Sequence, residues 1–247
     1  MSRSMYYYQS GKDDTEVENK IIEWAIKKPS RGLPYFVSQI RKEGYNWNHK
    51  RIGRVYRNLN LNKRMKKPRR RLPPRLDGAL WQPSSINQMW SMDFMHDRLV
   101  NGRKIRVLNI IDDYNREALM IDVAHSQSGE SVVRAIRQII EWRGKPQRIR
   151  CDNGPEFLSN MLVDFCNEPE LKIKLEYTQP GKPNQNAYIE RFNRTFREDV
   201  LDAYLFESIE QVRILAQDWM EDYNQNHPHQ SLEKMSPLDY LKFYNNI

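Results

Sequence analysis

The stretch IRVLNIIDDYNREALMIDVA, Ile105 to Ala124, decides the architecture. Its first part, IRVLNII, is almost continuously apolar, as expected of a central strand covered on both faces. DDYNRE then turns the chain, Asp being favoured there because it hydrogen-bonds its own backbone. ALMIDVA follows as another strand. Upstream, MWSMDFM (Met89 to Met95) reads as a strand running into a hairpin marked by Asn101-Gly102. Downstream, GESVVRAIRQIIEWRG carries an apolar stripe of Val132, Val133, Ile136, Ile139 and Ile140 and predicts a helix. QRIRC supplies a fourth strand, EFLSNMLVDFCN a helix, and KIKLEYT a fifth strand whose alternation suits a sheet edge. Two further helices are predicted over about 185–204 and 208–223. The chain is therefore α/β from residue 86 onward.

Asp112 and Asp113 form a conspicuous acidic pair, but their place in a turn gives them a structural reading, and Asp97 and Asp122 are discounted likewise. The run RCDNGPEF, Arg150 to Phe157, is different. Asp152 ends a strand, Asn153-Gly154 turns, and Pro155 tolerates the start of a helix. Glu156 then reads as a first-turn helix residue favoured by the helix dipole.

Residues 15–60 read as three helices. TEVE offers a capping box, Thr15 with Glu18, ahead of an apolar stripe of Val17, Ile21, Ile22, Trp24 and Ala25. A second helix covers Pro34 to Glu43, and Asn48 caps a third, HKRIGRVYRNLNL, with Ile52, Val55, Tyr56 and Leu59 on one face. His49, Lys50, Arg51 and Arg54 fall on its other faces, as on a helix-turn-helix recognition helix. Residues 61–85 contain NKRMKKPRRRLPPR, too basic and proline-rich for a packed element, and read as a linker.

Lys and Arg number 40 against 32 acids, a net charge of +8, which favours polyanionic partners, nucleic acid first. The two cysteines lack metal-ligand or disulfide spacing. No apolar run approaches the roughly 18 residues of a membrane span, and MSRSMYYYQSGKDD lacks a signal-peptide core. A cytoplasmic protein is expected.

The blocks WSMDFM, RCDNGPEF and YTQPGKPNQNAYIERFNRTFRED, with the tail NQNHPHQSLEKMSPLDYL, resemble the integrase-type core of DDE transposases. More narrowly, they resemble the second-frame proteins of insertion sequences of the IS-three family, related to retroviral integrases. RGLPYFVSQIRKEGYNWNHKRIGRVYRNLNL resembles the helix-turn-helix that precedes that core. The resemblance implies a ribonuclease H-like integrase core, a five-stranded mixed sheet flanked by helices, at 86–205, with a helical extension of the core at 206–247. It implies an acidic triad at Asp93, Asp152 and Glu190, carrying catalysis and holding a pair of Mg²⁺ or Mn²⁺ ions, hard cations that prefer oxygen ligands. Between Asp152 and Glu190 lie 37 residues, two more than that family commonly has, an excess placed in CNEPELK.

The implied activity is metal-dependent cleavage of insertion-sequence ends and DNA strand transfer. The implied partners are double-stranded DNA, as terminal inverted repeats and target, a second copy of the chain on DNA, and the upstream-frame protein. Lys182, Asn186, Arg194 and Arg197 join the recognition-helix residues as DNA-contact candidates. Two other readings are a non-catalytic DNA-binding accessory or regulatory subunit and a host nuclease of ribonuclease H type.

Overall fold

A computed structural model describes residues 13–62, 81–179 and 186–245. Most of the basic linker and Lys182 lie outside the described residues. The chain divides into two compact units, Met1–Leu72 and Pro73–Ile247.

The first unit contains α1 (Thr15–Lys27), α2 (Leu33–Lys42) and α3 (His49–Asn58). Each contributes one apolar stripe to a shared core of Val17, Ile21, Tyr35, Phe36, Ile40, Ile52, Val55 and Tyr56. Asn48 caps α3 as its sequence predicts, its side chain accepting from the Lys50 amide at 2.9 Å. The expected Thr15 cap does not form. Asp14 takes the capping position, and the Thr15 amide instead donates to Asp13 Oδ1 at 2.9 Å, so α1 begins one residue earlier than the capping box requires.

The second unit is built on one sheet with strands β1 (Met89–Arg98), β2 (Lys104–Asp112), β3 (Ala118–Ala124), β4 (Arg148–Cys151) and β5 (Lys174–Tyr177). Their order is β3-β2-β1-β4-β5, antiparallel across β3-β2-β1 and parallel across β1-β4-β5. The sheet is therefore mixed, with β2 interior and β5 at an edge. Helices α4 (Gly129–Arg143) and α5 (Asn160–Cys166) cover one face, burying Trp90, Met92, Leu108, Ile110 and Ile149 against Ile136, Ile139, Leu162 and Phe165. On the other face Met95, Ile105, Val107 and Ile111 pack against α6 (Ala187–Phe196) and α7 (Ile209–Asn226). This is the period-two logic of a strand buried on both sides: odd-numbered residues of β1 and β2 face α6, even-numbered ones face α4. A short helix α8 (Pro237–Asn245) ends the described chain.

Two local expectations change. Residues Arg197–Leu201 form a π-helical turn at the end of α6 instead of regular helix, a distortion that widens the turn. Its Asp199 does not face solvent alone, because Trp219 Nε1 donates to Asp199 Oδ2 at 2.9 Å. Glu156 is no first-turn residue, since α5 starts only at Asn160 behind its Ser159 cap. An ion pair with Arg106 claims the Glu156 carboxylate.

Candidate active site

The parallel pairing of β1 with β4 sets the site. Ser91 lies opposite Arg150 in this register. Continuing both strands by two residues brings Asp93 opposite Asp152, on the same face of the sheet. Helix α6 crosses the odd-numbered face of β1, and it carries Glu190 and, one turn on, Asn193.

Asp93 is partly buried. Its Oδ1 accepts from the Phe94 amide at 2.8 Å and its Oδ2 from Asn193 Nδ2 at 2.8 Å. Asn193 Oδ1 in turn accepts from Asn109 Nδ2 at 2.7 Å, and Asn109 is fully buried on β2, directly opposite Asp93 in the β1-β2 ladder. Burial raises the Asp93 pKa to about 6, and the charges of Asp152 and Glu190 push the same way, against the two hydrogen bonds that lower it. The three carboxylates thus share one electrostatic environment. Asp152 is exposed and accepts from the Gly154 amide at 2.9 Å, which closes the turn after β4. Glu190 is exposed on α6.

Among the described residues none of the three forms an ion pair. Nor do any three His, Cys, Asp or Glu among them stand close enough, as placed, to hold a metal ion. Asp93 and Asp152 each turn an oxygen to a nearby backbone amide. The donor set fits a hard divalent cation: three carboxylates, none of them in an ion pair with a described residue.

The loop bearing Asp152 is anchored at several points. Arg106 on β2 pairs with Glu156, and its guanidinium lies 4.3 Å from the Phe94 ring centroid. Phe94 stacks on Phe157 at 4.7 Å, and Asn153 Nδ2 donates to Thr178 O at 3.0 Å. Asp112 and Asp113 are fully buried away from this cluster. Asp113 accepts from Arg150 at 3.1 Å, and Asp112 accepts from the Asn87 and Tyr114 amides. Their environment is that of structural acids.

The DNA-contact candidates separate into groups. His49 and Lys50 are exposed on α3, whereas Arg51 and Arg54 both pair with Asp14, at 2.8 Å and 2.7 Å. Arg194 is exposed on α6. Arg197 is engaged within the fold, donating to His96 O at 2.8 Å and pairing with Asp97 and Asp202. Asn186 is buried at the start of α6. The sequence reading passes over Asn109, although an amide inside the apolar run IRVLNII signals that something polar has to meet it. It sets Asn193 on a DNA-facing side of the helix, whereas the structure ties it to Asp93 and Asn109.

Integrase core domain families match residues 83–183 and 171–237. The uncharacterized 31.7 kDa protein of insertion element IS407 in Burkholderia multivorans is 36% identical over 97% of this chain and 86% of its own length. The chain belongs to the integrase-core transposases of insertion elements. An IS476 protein of Xanthomonas euvesicatoria is 38% identical to this transposase over 91% of the chain, which spans 64% of that relative. The HTLV-2 integrase catalytic core domain, solved in complex with magnesium, has the same fold as the transposase core. The two share 20% identity with a TM-score of 0.51, covering 66% of this chain and 99% of that one. The ribonuclease H-like core expected from the sequence is the one observed.

Proposed function

We propose that this transposase cuts DNA at the ends of its insertion element and joins the resulting 3′-hydroxyl to a target phosphodiester at Asp93, Asp152 and Glu190. The observation that carries the reading is geometric: the parallel β1–β4 register sets Asp93 beside Asp152, and α6, which carries Glu190, is tied to Asp93 through Asn193. None of the three acids forms an ion pair with a described residue. The same three residues would hold Mg²⁺ or Mn²⁺, as a pair, and magnesium accompanies the HTLV-2 core. Bound there, the cations would supply Lewis acidity, activating an attacking oxygen and stabilising the leaving one.

The protein's own part is orientation. Asn193 and the Phe94 amide fix both oxygens of Asp93 and leave each with acceptor capacity for a cation. The turn Asp152–Gly154 and the Arg106–Glu156 anchor hold Asp152 against β1. Water and a sugar hydroxyl can then occupy the same nucleophile position, so one site serves hydrolysis and strand transfer. Duplex DNA would be gathered by Arg194 on α6, with His49, Lys50, Arg51 and Arg54 of α3 reading the element ends; a second copy of the chain would bring the paired ends together. The site of action is the bacterial cytoplasm.

The test is nicking and joining of terminal-repeat DNA by the full chain with Mg²⁺. D93N, D152N and E190Q should each abolish product while DNA binding persists. Activity surviving all three substitutions refutes the assignment, and binding by the wild type without any product returns the protein to the accessory-subunit reading.

A further inference from the structure

Outside the acid cluster, the second unit contains a cavity of about 420 Å³ beside α6, lined by Arg116, Tyr188, Arg191, Gln230 and Ser231 among others. Its chemistry is one-sided. Two arginines, a glutamine, the His229 imidazole and three hydroxyl-bearing residues, Tyr188, Tyr223 and Ser231, line it, and no carboxylate does.

Arg116 is the residue that makes this a built site. It lies in the β2-β3 turn at φ +62°, a left-handed conformation uncommon for a residue with a side chain. Its neighbours lock that turn: Asn115 Nδ2 donates to Glu117 Oε2 at 2.9 Å and to Pro237 O at 3.3 Å, and Arg143 pairs with Glu117 at 2.6 Å. The Arg116 guanidinium stacks over the Tyr188 ring at 3.5 Å, with the residue only 7% exposed. Its Nη1 is buried and has no hydrogen-bond partner. The charge of Arg116 acts on Asp113, whose Oδ2 accepts from Arg150 and whose buried Oδ1 forms no hydrogen bond with Arg116. A buried charged donor without a partner is costly, and an anion seated in the cavity would answer it. Arg191 lies exposed at the same cavity and forms no ion pair with a described residue.

We propose that this cavity binds one backbone phosphate of the DNA, clamped between Arg116 and Arg191 with Ser231 and Gln230 donating beside them. The proposal rests on the reading of the transposase as a DNA-cutting enzyme. Planar guanidinium forks match phosphate oxygens, and phosphate contacts fix the register of a duplex without reading its sequence. The cavity shares α6 with Glu190, and Arg191 is the next residue, about 100° round the helix. A strand leaving the acid cluster along that helix meets the cavity next. Gripping a phosphate there would set which phosphodiester lies at the acids.

The test uses the full chain in chelator, so that no chemistry intervenes, and a set of terminal-repeat duplexes, each with one uncharged methylphosphonate linkage. Wild type should lose about tenfold in affinity at one particular linkage. R191Q and R116Q should bind unmodified DNA about tenfold more weakly and should be indifferent to that linkage, the non-additivity expected when both changes remove one contact. R191Q, at an exposed position, carries the test if R116Q does not fold. The inference is overturned if R191Q binds unmodified DNA like wild type, or if it keeps the wild-type loss at every linkage. It is also overturned if R191Q leaves the linkage pattern intact but abolishes self-association in sedimentation, which would make the occupant a carboxylate of a second copy. Loss of Mg²⁺-dependent products in wild type with the linkage pattern retained would remove the proposed activity and leave the phosphate site standing. Failure of wild type to bind the duplex at all would remove both.

Discussion

At the scale of one residue, Asp93 combines the opposing demands of the site. It must be desolvated enough to respond to its neighbours and still be held by donors that favour its ionised form. Burial prevails, and its pKa rises from 3.8 to about 6. A carboxyl raised on folding binds protons in the native state that the unfolded chain has already released. The associated stability is therefore fully present below pH 3.8 and is lost as pH rises through about 6. D93N has no such loss. In metal-free protein, urea unfolding at stepped pH should show D93N gaining on wild type between those two values and levelling off above them; a flat difference would mean a solvated Asp93. Asn193 makes a separate prediction. Its amide joins Asp93 to Asn109, so N193A should leave the fold and the KM for DNA nearly unchanged while lowering kcat for joining about 10- to 100-fold, the usual cost of removing a residue that orients a ligand-bearing carboxylate. Single-turnover kinetics would separate the two parameters. The sequence offers the three acids as candidates because each sits in a block that resembles a known family. It did not make Asn193 legible as a support, because a hydrogen bond across 84 residues leaves no periodic trace.

Among elements, the strands were easy and the pairings between them were not. IRVLNII and ALMIDVA are recognisable because burial on the sheet imposes apolar runs of strand length, and KIKLEYT because an edge strand alternates. Local caps were legible where one residue does the work, as at Asn48, and failed at Thr15, where Asp14 competes for the same role. The π-helical turn at Arg197–Leu201 was invisible, since its residues keep a helical pattern of burial. Glu156 shows the same limit from another side. Its local sequence suits a helix start, yet Arg106, 50 residues earlier, takes its carboxylate. Both side chains are largely shielded from water, and the arginine holds the Glu156 carboxyl below its ordinary pKa. A depressed carboxylate stabilises the fold above its unfolded pKa and ceases to do so as pH falls. E156Q should therefore cost about 1–3 kcal/mol at neutral pH, and less in acid, by urea denaturation. Faster hydrogen exchange at the Gly154 and Phe157 amides should accompany it, because the same contact tethers the Asp152 turn. An unchanged midpoint would reduce the pair to a screened surface contact.

For the molecule as a whole, the net charge of +8 agrees with a protein that meets a polyanion. Its two units rest on separate apolar cores, three helices around Phe36 in one and a sheet covered on both faces in the other. Their stabilities should differ. A unit of roughly 50 ordered residues buries a small share of its surface and is only marginally stable, whereas the larger unit has two apolar layers to lose. Phe36 is 1% exposed and touches Tyr35 and Tyr56 edge to face. F36A should remove about 3–5 kcal/mol, the range for truncating a buried aromatic, which is comparable to everything such a unit has. The expected result is a full chain in which NMR signals of residues 15–60 collapse to random-coil positions while those of β1 to β5 stay in place. Sequence-specific binding to the element ends should then vanish, and metal-dependent nicking of nonspecific DNA should continue at the acids. Collapse of both sets of signals together would show that the two cores stand or fall as one, and would transfer part of the energy assigned to the sheet to the helices that precede it.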